Sequence, residues 1–238
     1  MSSDQSNSQA EQYTHPGTQS SFFLYNLTGR NRALVLLLAL ISQILLTSLG
    51  ANQYFLPGLF QGAVILAAVV VAADSRRHLI FGLALGVPAF VLSIVGDIID
   101  NKLLGWINYL LVLILFLVII RLMLIKIFKA RIVTLDTIGY ALCTYILLGT
   151  VWTLFYAPVA ELDPHAFSQP MDQPGSTPGA MLVYFSFVTL TTLGYGDISP
   201  VSNLARSLAI LEALTGTLFL AVLISRLVGS YSSQKRSE

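Results

Sequence analysis

The sequence predicts an all-α membrane protein with six transmembrane helices and one short helix that re-enters the membrane before the last of them. Of the 238 residues, 55% are hydrophobic and only 11% are charged, and the mean hydropathy is +0.75. This composition is typical of a chain that crosses a membrane several times, not of a soluble domain. The apolar residues fall into six long runs, and a shorter apolar run precedes the last one.

The six long runs each approach the roughly 20 residues that cross a ~30 Å hydrocarbon core. In chain order they occupy residues 33–49, 54–73, 79–95, 103–125, 133–156 and 201 to about 228. Pro88 is expected to bend the third helix, because proline interrupts the helical hydrogen-bond ladder.

The short apolar run, residues 178–191, is predicted to form a helix that does not cross the membrane. Thr177 can cap its first turn, and Pro178 suits the first helical position, where no backbone N–H is needed. Because the run is too short to span, it must enter and leave on one side and be buried in protein.

The lysine and arginine residues predict the orientation of the chain. By the positive-inside rule, both termini are cytoplasmic and the loop before the sixth helix opens outside. Only Lys102 and Arg206 fall on the outer side. The residues on or towards the inner side are Arg30, Arg32, Arg76, Arg77, Arg121, Lys126, Lys129, Arg131, Arg226, Lys235 and Arg236.

Composition limits the chain's other properties. Residues 1–29 are polar, rich in Ser and Gln, and predicted to be a disordered cytoplasmic tail. The net charge of +1 argues against nucleic-acid binding. Cys143 is the one cysteine, so no intrachain disulfide can form.

Residues 191–197, directly after the short helix, read Thr-Thr-Leu-Gly-Tyr-Gly-Asp. Glycine adopts left-handed backbone angles at no steric cost, so the alternation of Gly194 and Gly196 with larger residues lets successive carbonyl oxygens point to one side. Four such strands around an axis would form rings of oxygens that replace the water shell of a potassium ion. The hydroxyl of Thr192 would add a further ring.

This segment resembles the selectivity filter of the potassium-channel superfamily, which reads Thr-x-Gly-Tyr-Gly-Asp. The resemblance implies a homotetramer with a pore helix at 178–191 and a potassium-coordinating filter. The implied filter residues are Thr192, Leu193, Gly194, Tyr195, Gly196 and Asp197, of which the first four would coordinate K⁺.

The resemblance also implies residues that support the filter. Tyr184 and Phe185 stand where the family has two aromatic residues that brace it, and Thr191 directly precedes it. Val188 stands where some bacterial members have a glutamate paired with the filter aspartate and voltage-gated members have valine.

Six spans with the pore loop before the sixth match the plan of voltage-gated-type channels, but the predicted fourth helix departs from it. A voltage sensor needs arginines every third residue through the membrane, and residues 103–120 contain no arginine or lysine. The chain is therefore divided into a four-helix, sensor-like domain without gating arginines at 30–131, a pore domain at 132–230 and a short cytoplasmic tail at 231–238.

Two residues of the sixth run are further candidates. Gly216 stands where many family members have a hinge glycine, and the alternative is that it allows close packing of the pore helix. Glu212 is an ionisable residue near mid-membrane, where such residues are costly and usually functional. We expect Glu212 to lie behind the filter and bond hydroxyls such as Ser186 or Thr189; the alternative places it in a water-filled cavity.

The predicted function is passive, potassium-selective permeation without catalytic chemistry or a cofactor. The expected partners are other copies of the chain, membrane lipids and K⁺ ions. Leu193 replaces the commoner Val or Ile, which leaves a poorly selective cation channel as the alternative, together with a pore subunit of a mixed tetramer. A secondary transporter would show paired broken helices, and an intramembrane hydrolase a Gly-x-Ser-x-Gly or His-Glu-x-x-His motif; the sequence has neither motif.

Overall fold

The computed structural model describes residues 32–48, 62, 64–65, 68–69, 76–99, 101–130, 133–169 and 177–234. Regular structure in these ranges is helical, apart from one antiparallel bridge between Phe167 and Pro200. The helices are α1 (Arg32–Ser48), α2 (Arg76–Ile99), α3 (Lys102–Lys129), α4 (Leu135–Leu162), α5 (Pro178–Leu190) and α6 (Asn203–Gln234). The predicted tail at 1–29 and residues 235–238 lie outside the described residues.

Four helices among the described residues are long and apolar enough to cross a membrane. They are Arg77–Gly96, Lys102–Lys129, Leu135–Leu162 and Asn203–Arg226, which coincide with the third to sixth predicted runs. The first predicted run corresponds to α1, whose 17 residues make a shorter apolar helix. Of the second predicted run, the described residues 62, 64, 65, 68 and 69 are helical and buried. The structure is thus all-helical with four candidate spans, and a total of six spans stays a prediction.

The helix starts follow their capping residues. The Asn101 side chain accepts a hydrogen bond from the backbone N–H of Leu103 at 2.9 Å and so caps α3. Thr134 and Thr137 form a reciprocal capping box at the start of α4. Thr177 caps α5 through the N–H of Ala180 at 3.2 Å, as the sequence predicts.

Two apolar clusters hold the helices together, and α4 contributes to both. In a lipid environment such clusters stabilise mainly by close packing, because lipid tails are as apolar as leucine. One cluster joins α1, the predicted second run, α2, α3 and the first half of α4; it includes Leu36, Leu40, Ile65, Ala89, Leu115, Phe116 and Leu147. The other joins the second half of α4 to α5 and α6; it includes Tyr156, Phe167, Phe185, Leu190 and Ala205.

The C-terminal part of α6 is attached to the end of α3 through Arg226. Arg226 donates from Nη2 to the carbonyl oxygen of Ala130, the C-cap residue of α3, at 2.5 Å. Its guanidinium also lies 5.5 Å from the ring centroid of Phe128. A cation is favoured there, because the last carbonyls of a helix carry partial negative charge.

The helix α4 extends beyond the predicted end at Tyr156 and runs through Pro158 to Leu162. Proline has no N–H, so Pro158 leaves the carbonyl of Leu154, one turn earlier, without its helical donor. The hydroxyl of Tyr109 on α3 donates to that carbonyl. A residue 45 positions away in sequence thereby replaces the missing helical bond.

This arrangement predicts a coupled pair of substitutions. Tyr109→Phe should lower the free energy of unfolding by about 0.5–1.5 kcal/mol, because the Leu154 carbonyl loses its donor. In a Pro158→Ala background the backbone N–H of residue 158 can bond that carbonyl, so Tyr109→Phe should cost less there. Thermal or denaturant unfolding of the four proteins in one detergent measures the difference, and an equal cost of Tyr109→Phe in both backgrounds would contradict this account.

Candidate functional site

The short helix α5 packs against a glycine on each neighbouring helix. A Cβ atom built at Gly149 of α4 would lie 2.8 Å from the ring of Phe187, and one built at Gly216 of α6 would lie 2.2 Å from the backbone carbonyl oxygen of Leu190. A larger residue at position 216 would therefore push α6 away from α5, whereas one at position 149 would displace the Phe187 ring. Gly216 thus helps to set the position of α5 and of the segment that follows it.

The segment after α5 has a left-handed backbone at every second residue. The φ angles are 58° at Thr192, 57° at Gly194 and 81° at Gly196. The sequence predicted this conformation for the two glycines, and the structure confirms it. The left-handed angle of Thr192 was not predicted, because this conformation costs a threonine roughly 1–2 kcal/mol and its sequence context does not indicate it.

The backbone N–H groups of this segment bond back to the end of α5. Thr192 N–H donates to the carbonyl of Thr189 at 2.9 Å, and the N–H groups of Leu193 and Gly194 donate to that of Val188 at 2.9 and 3.3 Å. These bonds use the backbone N–H donors of residues 192–194.

The backbone carbonyl oxygens of residues 192–195 accept no hydrogen bond from any described residue. Each carbonyl oxygen has two lone pairs and is a good ligand for a hard cation. Residues 191–197 are largely exposed in the single chain, with 56% of Leu193 and 67% of Tyr195 accessible. The segment therefore offers an exposed run of unpaired oxygens directly after a helix C-terminus, whose partial negative charge also favours a cation.

The far end of the segment is held by Asp197. Its Oδ2 accepts from the hydroxyl of Tyr184 at 2.6 Å and its Oδ1 from the N–H of Ile198 at 2.9 Å. Its backbone carbonyl accepts from Gln169 Nε2 at 2.9 Å. The structure thus brings the predicted bracing residue Tyr184 against the segment, whereas no sequence pattern pointed to Gln169.

The bond between Tyr184 and Asp197 shifts the pKa of both groups away from neutral pH. The hydroxyl lowers the pKa of the Asp197 carboxyl, and the same bond raises the pKa of Tyr184 to about 12. Because the carboxyl pKa is lowered on folding, the bond stabilises fully above the ordinary Asp pKa of about 3.9 and is lost as the pH falls through the lowered value.

The other predicted supporting residues take different positions. Phe185 is buried and packs edge-on against the rings of Tyr156 and Phe167, with centroids 5.0 and 5.2 Å apart. The backbone carbonyl of Val188 accepts the bonds from the N–H groups of Leu193 and Gly194. Thr191 is the C-cap of α5, and its hydroxyl donates to the carbonyl of Phe187 at 2.7 Å.

Glu212 lies fully buried between α4, α5 and α6, with 0% of its surface exposed. The hydroxyl of Ser186 on α5 lies 2.6 Å from Oε1, and that of Tyr156 on α4 lies 2.5 Å from Oε2. The expected bond to Ser186 is present, and Tyr156 was missed because it lies 56 residues away in sequence. This burial disfavours the alternative of a carboxylate in a water-filled cavity.

The hydroxyl of Ser186 also lies 2.8 Å from the carbonyl oxygen of Gly149. Ser186 has one proton for two acceptors. A proton on Glu212 would satisfy both distances, since Glu212 would donate to Ser186 and Ser186 to Gly149. Glutamine has the same shape and the same donor and acceptor at this site.

Gly216 touches α5 at the carbonyl of Leu190, which also accepts from the Tyr145 hydroxyl at 3.1 Å. The helix α6 is continuous through Gly216. These contacts favour the close-packing interpretation of this glycine, and a role as a hinge stays a prediction.

Comparison with known proteins shows what the region around α5 is similar to. Residues 140–232, which contain most of α4, all of α5 and nearly all of α6, match a family described as "Ion channel". The chain is 30% identical over 89 residues to Two pore potassium channel b of Oryza sativa subsp. japonica, a match that covers 37% of this chain and 22% of that protein. It is 33% identical over 88 residues to an inward rectifier potassium channel of Paramagnetospirillum magnetotacticum, covering 37% of this chain and 27% of that one.

A third relative is Protein LctB of Bacillus caldotenax, 29% identical over 99 residues, with 40% of this chain and 72% of that protein covered. The chain spans about a quarter of the length of the first two relatives. No solved structure matches the chain. Residues 140–232, called the pore-loop region below, are thus similar to an ion-channel family and to parts of potassium channels, and they belong to a chain with four candidate membrane spans among its described residues.

The geometry around Glu212 predicts opposite results for two substitutions. Glu212→Leu leaves the Tyr156 hydroxyl buried without an acceptor, so we expect the free energy of unfolding to fall by about 1–3 kcal/mol. Glu212→Gln keeps a donor towards Ser186 and an acceptor for Tyr156, so it should be nearly neutral. Thermal unfolding of the purified protein in detergent measures both.

The matched control is Tyr156→Phe in the Glu212→Leu background. It removes the unpaired hydroxyl and should recover part of the lost stability, because replacing both partners by apolar groups is close to neutral. If Glu212→Gln destabilises as much as Glu212→Leu, this bonding scheme is wrong. If it leaves stability intact but sharply reduces ion conduction, Glu212 lies in the ion path instead.

Proposed function

We propose that the chain is the pore-forming subunit of a potassium-selective channel that lets K⁺ pass down its electrochemical gradient. Four copies would surround one axis, each contributing a pore helix and one filter strand. The filter would consist of Thr192, Leu193, Gly194, Tyr195, Gly196 and Asp197, and the first four would coordinate K⁺. No cofactor is required beyond the permeant ion.

The observation that carries this proposal is the backbone of residues 192–196. The left-handed angles at Thr192, Gly194 and Gly196 alternate with ordinary angles, and the N–H groups of residues 192–194 are bonded away towards α5 while the carbonyls of 192–195 stay unpaired. Such carbonyls can replace the water shell of a potassium ion only when several strands supply them together. Two of the relatives, those from Oryza sativa subsp. japonica and Paramagnetospirillum magnetotacticum, are named as potassium channels, which favours the same ion.

The exposure of α6 supports assembly into an oligomer. Large apolar side chains along it are exposed in the single chain, among them Ile210, Leu211, Leu214 and Leu218. In an 18-residue apolar stretch of this helix, only 11% of the residues are buried. In the proposed homotetramer these side chains would face neighbouring copies and the pore, although a mixed tetramer would cover them equally.

The proposed tetrameric channel also assigns roles to the other parts of the chain. We assign residues 30–131 to a sensor-like domain and residues 132–230 to the pore domain, with six spans in all and both termini in the cytoplasm of a cell-membrane protein. Tyr184, Phe185, Val188, Thr191 and Glu212 would hold the filter in place. Gly216 would either pack against α5 or serve as a hinge.

Selectivity is tested at the filter glycines. Within the single chain a Cβ atom at Gly194 or Gly196 would meet no neighbouring atom within 4 Å, so alanine there acts on the chain through the strained left-handed backbone, at roughly 1–2 kcal/mol. We expect Gly194→Ala or Gly196→Ala to abolish potassium selectivity, measured as the reversal potential under mixed sodium and potassium in reconstituted bilayers.

The matched control is Gly179→Ala at the start of α5, which also meets open space but needs no left-handed angle. It should keep the unmodified selectivity. Equal sodium and potassium permeability in the unmodified protein would favour the poorly selective channel that Leu193 leaves open.

Voltage dependence is expected to be weak. In α3, no lysine or arginine lies between Lys102 at its first position and Arg121, whereas Lys126 and Lys129 lie in its last turns. Moving one charge through 100 mV contributes only ~2.3 kcal/mol, so steep opening needs many charges within the membrane. Conductance measured against voltage should change gradually, and a steep sigmoidal curve accompanied by gating current would overturn this expectation.

A further inference from the structure

A cavity of about 210 Å³ lies between the beginning of α3 and the end of α4, away from the contacts of α5 with α4 and α6. The lining residues that matter here are Lys102, Gly105, Trp106, Tyr109, Pro158 and Glu161. The volume is smaller than the ~300–1,000 Å³ of pockets for drug-sized ligands. It suits a small polar group, such as the head group of a lipid whose tails remain in the membrane.

The cavity lies where membrane and water meet. The helix α3 begins at Lys102, and α4 ends at Leu162, so both boundaries of apolar helices adjoin the cavity. Tryptophan and tyrosine are enriched at this level of membrane proteins, because their rings are apolar and their tips are polar. Trp106 and Tyr109 fit this pattern, and lipid head groups are the abundant ligands at this depth.

Two opposite charges line the cavity without pairing with each other. The structure records no ion pair or hydrogen bond between the exposed side chains of Lys102 and Glu161. A cation and an anion held apart in one cavity are complementary to a ligand that carries both charges. An ammonium binds phosphate oxygens as a point charge, and a carboxylate accepts hydrogen bonds from an amine.

The aromatic residues add a second site for a cationic amine. The rings of Trp106 and Tyr109 meet edge to face, with centroids 5.7 Å apart and planes inclined by 72°. The Tyr109 ring is fixed, because its hydroxyl is bonded to the Leu154 carbonyl. An ammonium group within about 6 Å of either ring would gain a cation–π attraction beside the Glu161 carboxylate.

Gly105 keeps the cavity open. A Cβ atom there would meet no atom within 4 Å, so no packing contact requires glycine. Glycine is unfavourable inside a helix compared with most other residues. A larger side chain at position 105 would project into free space and occupy volume that a ligand needs.

We propose that this cavity binds the head group of a zwitterionic phospholipid from the leaflet on the filter side. The phosphate lies on Lys102, and the cationic amine lies between Glu161 and the rings of Trp106 and Tyr109. This site is separate from the ion-conducting segment and does not depend on which ion the channel passes.

The experiment measures phospholipids retained by the full-length protein in native mass spectra. The protein is extracted from vesicles containing equal amounts of phosphatidylethanolamine, phosphatidylcholine and phosphatidylglycerol. We expect retention of the two zwitterionic lipids over phosphatidylglycerol, which has the phosphate but no amine. Preference for phosphatidylethanolamine would assign the amine chiefly to Glu161, and preference for phosphatidylcholine chiefly to the rings; both support the site.

The decisive variant is Gly105→Leu, and its matched control is Gly96→Leu. Gly96 lies in α2, also has open space around its Cβ position, and does not line the cavity. Gly105→Leu should reduce zwitterionic lipid retention about tenfold, whereas Gly96→Leu should leave it unchanged. Circular dichroism of both variants checks that the helices form equally.

Two charge variants test the assigned contacts. Lys102→Gln should reduce retention of all three lipids about tenfold, the effect of losing one charge-assisted hydrogen bond. Glu161→Gln should remove the preference over phosphatidylglycerol. Equal retention in Gly105→Leu and Gly96→Leu, retention of phosphatidylglycerol as strong as that of the zwitterionic lipids, or no retained phospholipid would each overturn the proposal.

Discussion

The structure of the pore-loop region depends on how the backbone of residues 192–195 divides its hydrogen-bonding groups. In a membrane every buried backbone group needs a partner, yet a cation site needs carbonyl oxygens without one. Both requirements are met here because the N–H groups of Thr192, Leu193 and Gly194 donate to carbonyls in the last turn of α5. The carbonyls that remain unpaired are stable only beside water or a cation, so the same bonds that fix the segment leave its oxygens available to either.

This backbone can hold its shape only if α5 is held in turn. Two glycines on the neighbouring helices allow α5 to pack closely. Gly149 lies beside the Phe187 ring, and Gly216 lies beside the Leu190 carbonyl. Glu212 then joins all three helices through polar contacts, because its two oxygens reach Ser186 on α5 and Tyr156 on α4. Close packing and the contacts of the buried carboxyl group together hold α4, α5 and α6 in place.

The helix α4 connects the pore-loop region to the preceding helices. Its first half packs in one apolar cluster and its second half in the other. The continuation through Pro158 relies on the Tyr109 hydroxyl from α3, so the C-terminal end of α4 depends on a contact with the helix before it. A lipid head group in the adjoining cavity would therefore contact the two parts at once and stabilise their junction.

The sequence by itself determined the membrane class, the candidate spans that became α2, α3, α4 and α6, the capped helix α5 and the left-handed glycines Gly194 and Gly196. These follow from local signals: apolar length, capping residues and the freedom of glycine at positive φ. Only the tertiary structure decided the left-handed angle of Thr192, the roles of Gln169 and Tyr156, and the extension of α4 through Pro158. Each of these depends on a partner distant in sequence or on a strained backbone that neighbouring bonds maintain, and neither leaves a periodic or compositional pattern in the chain.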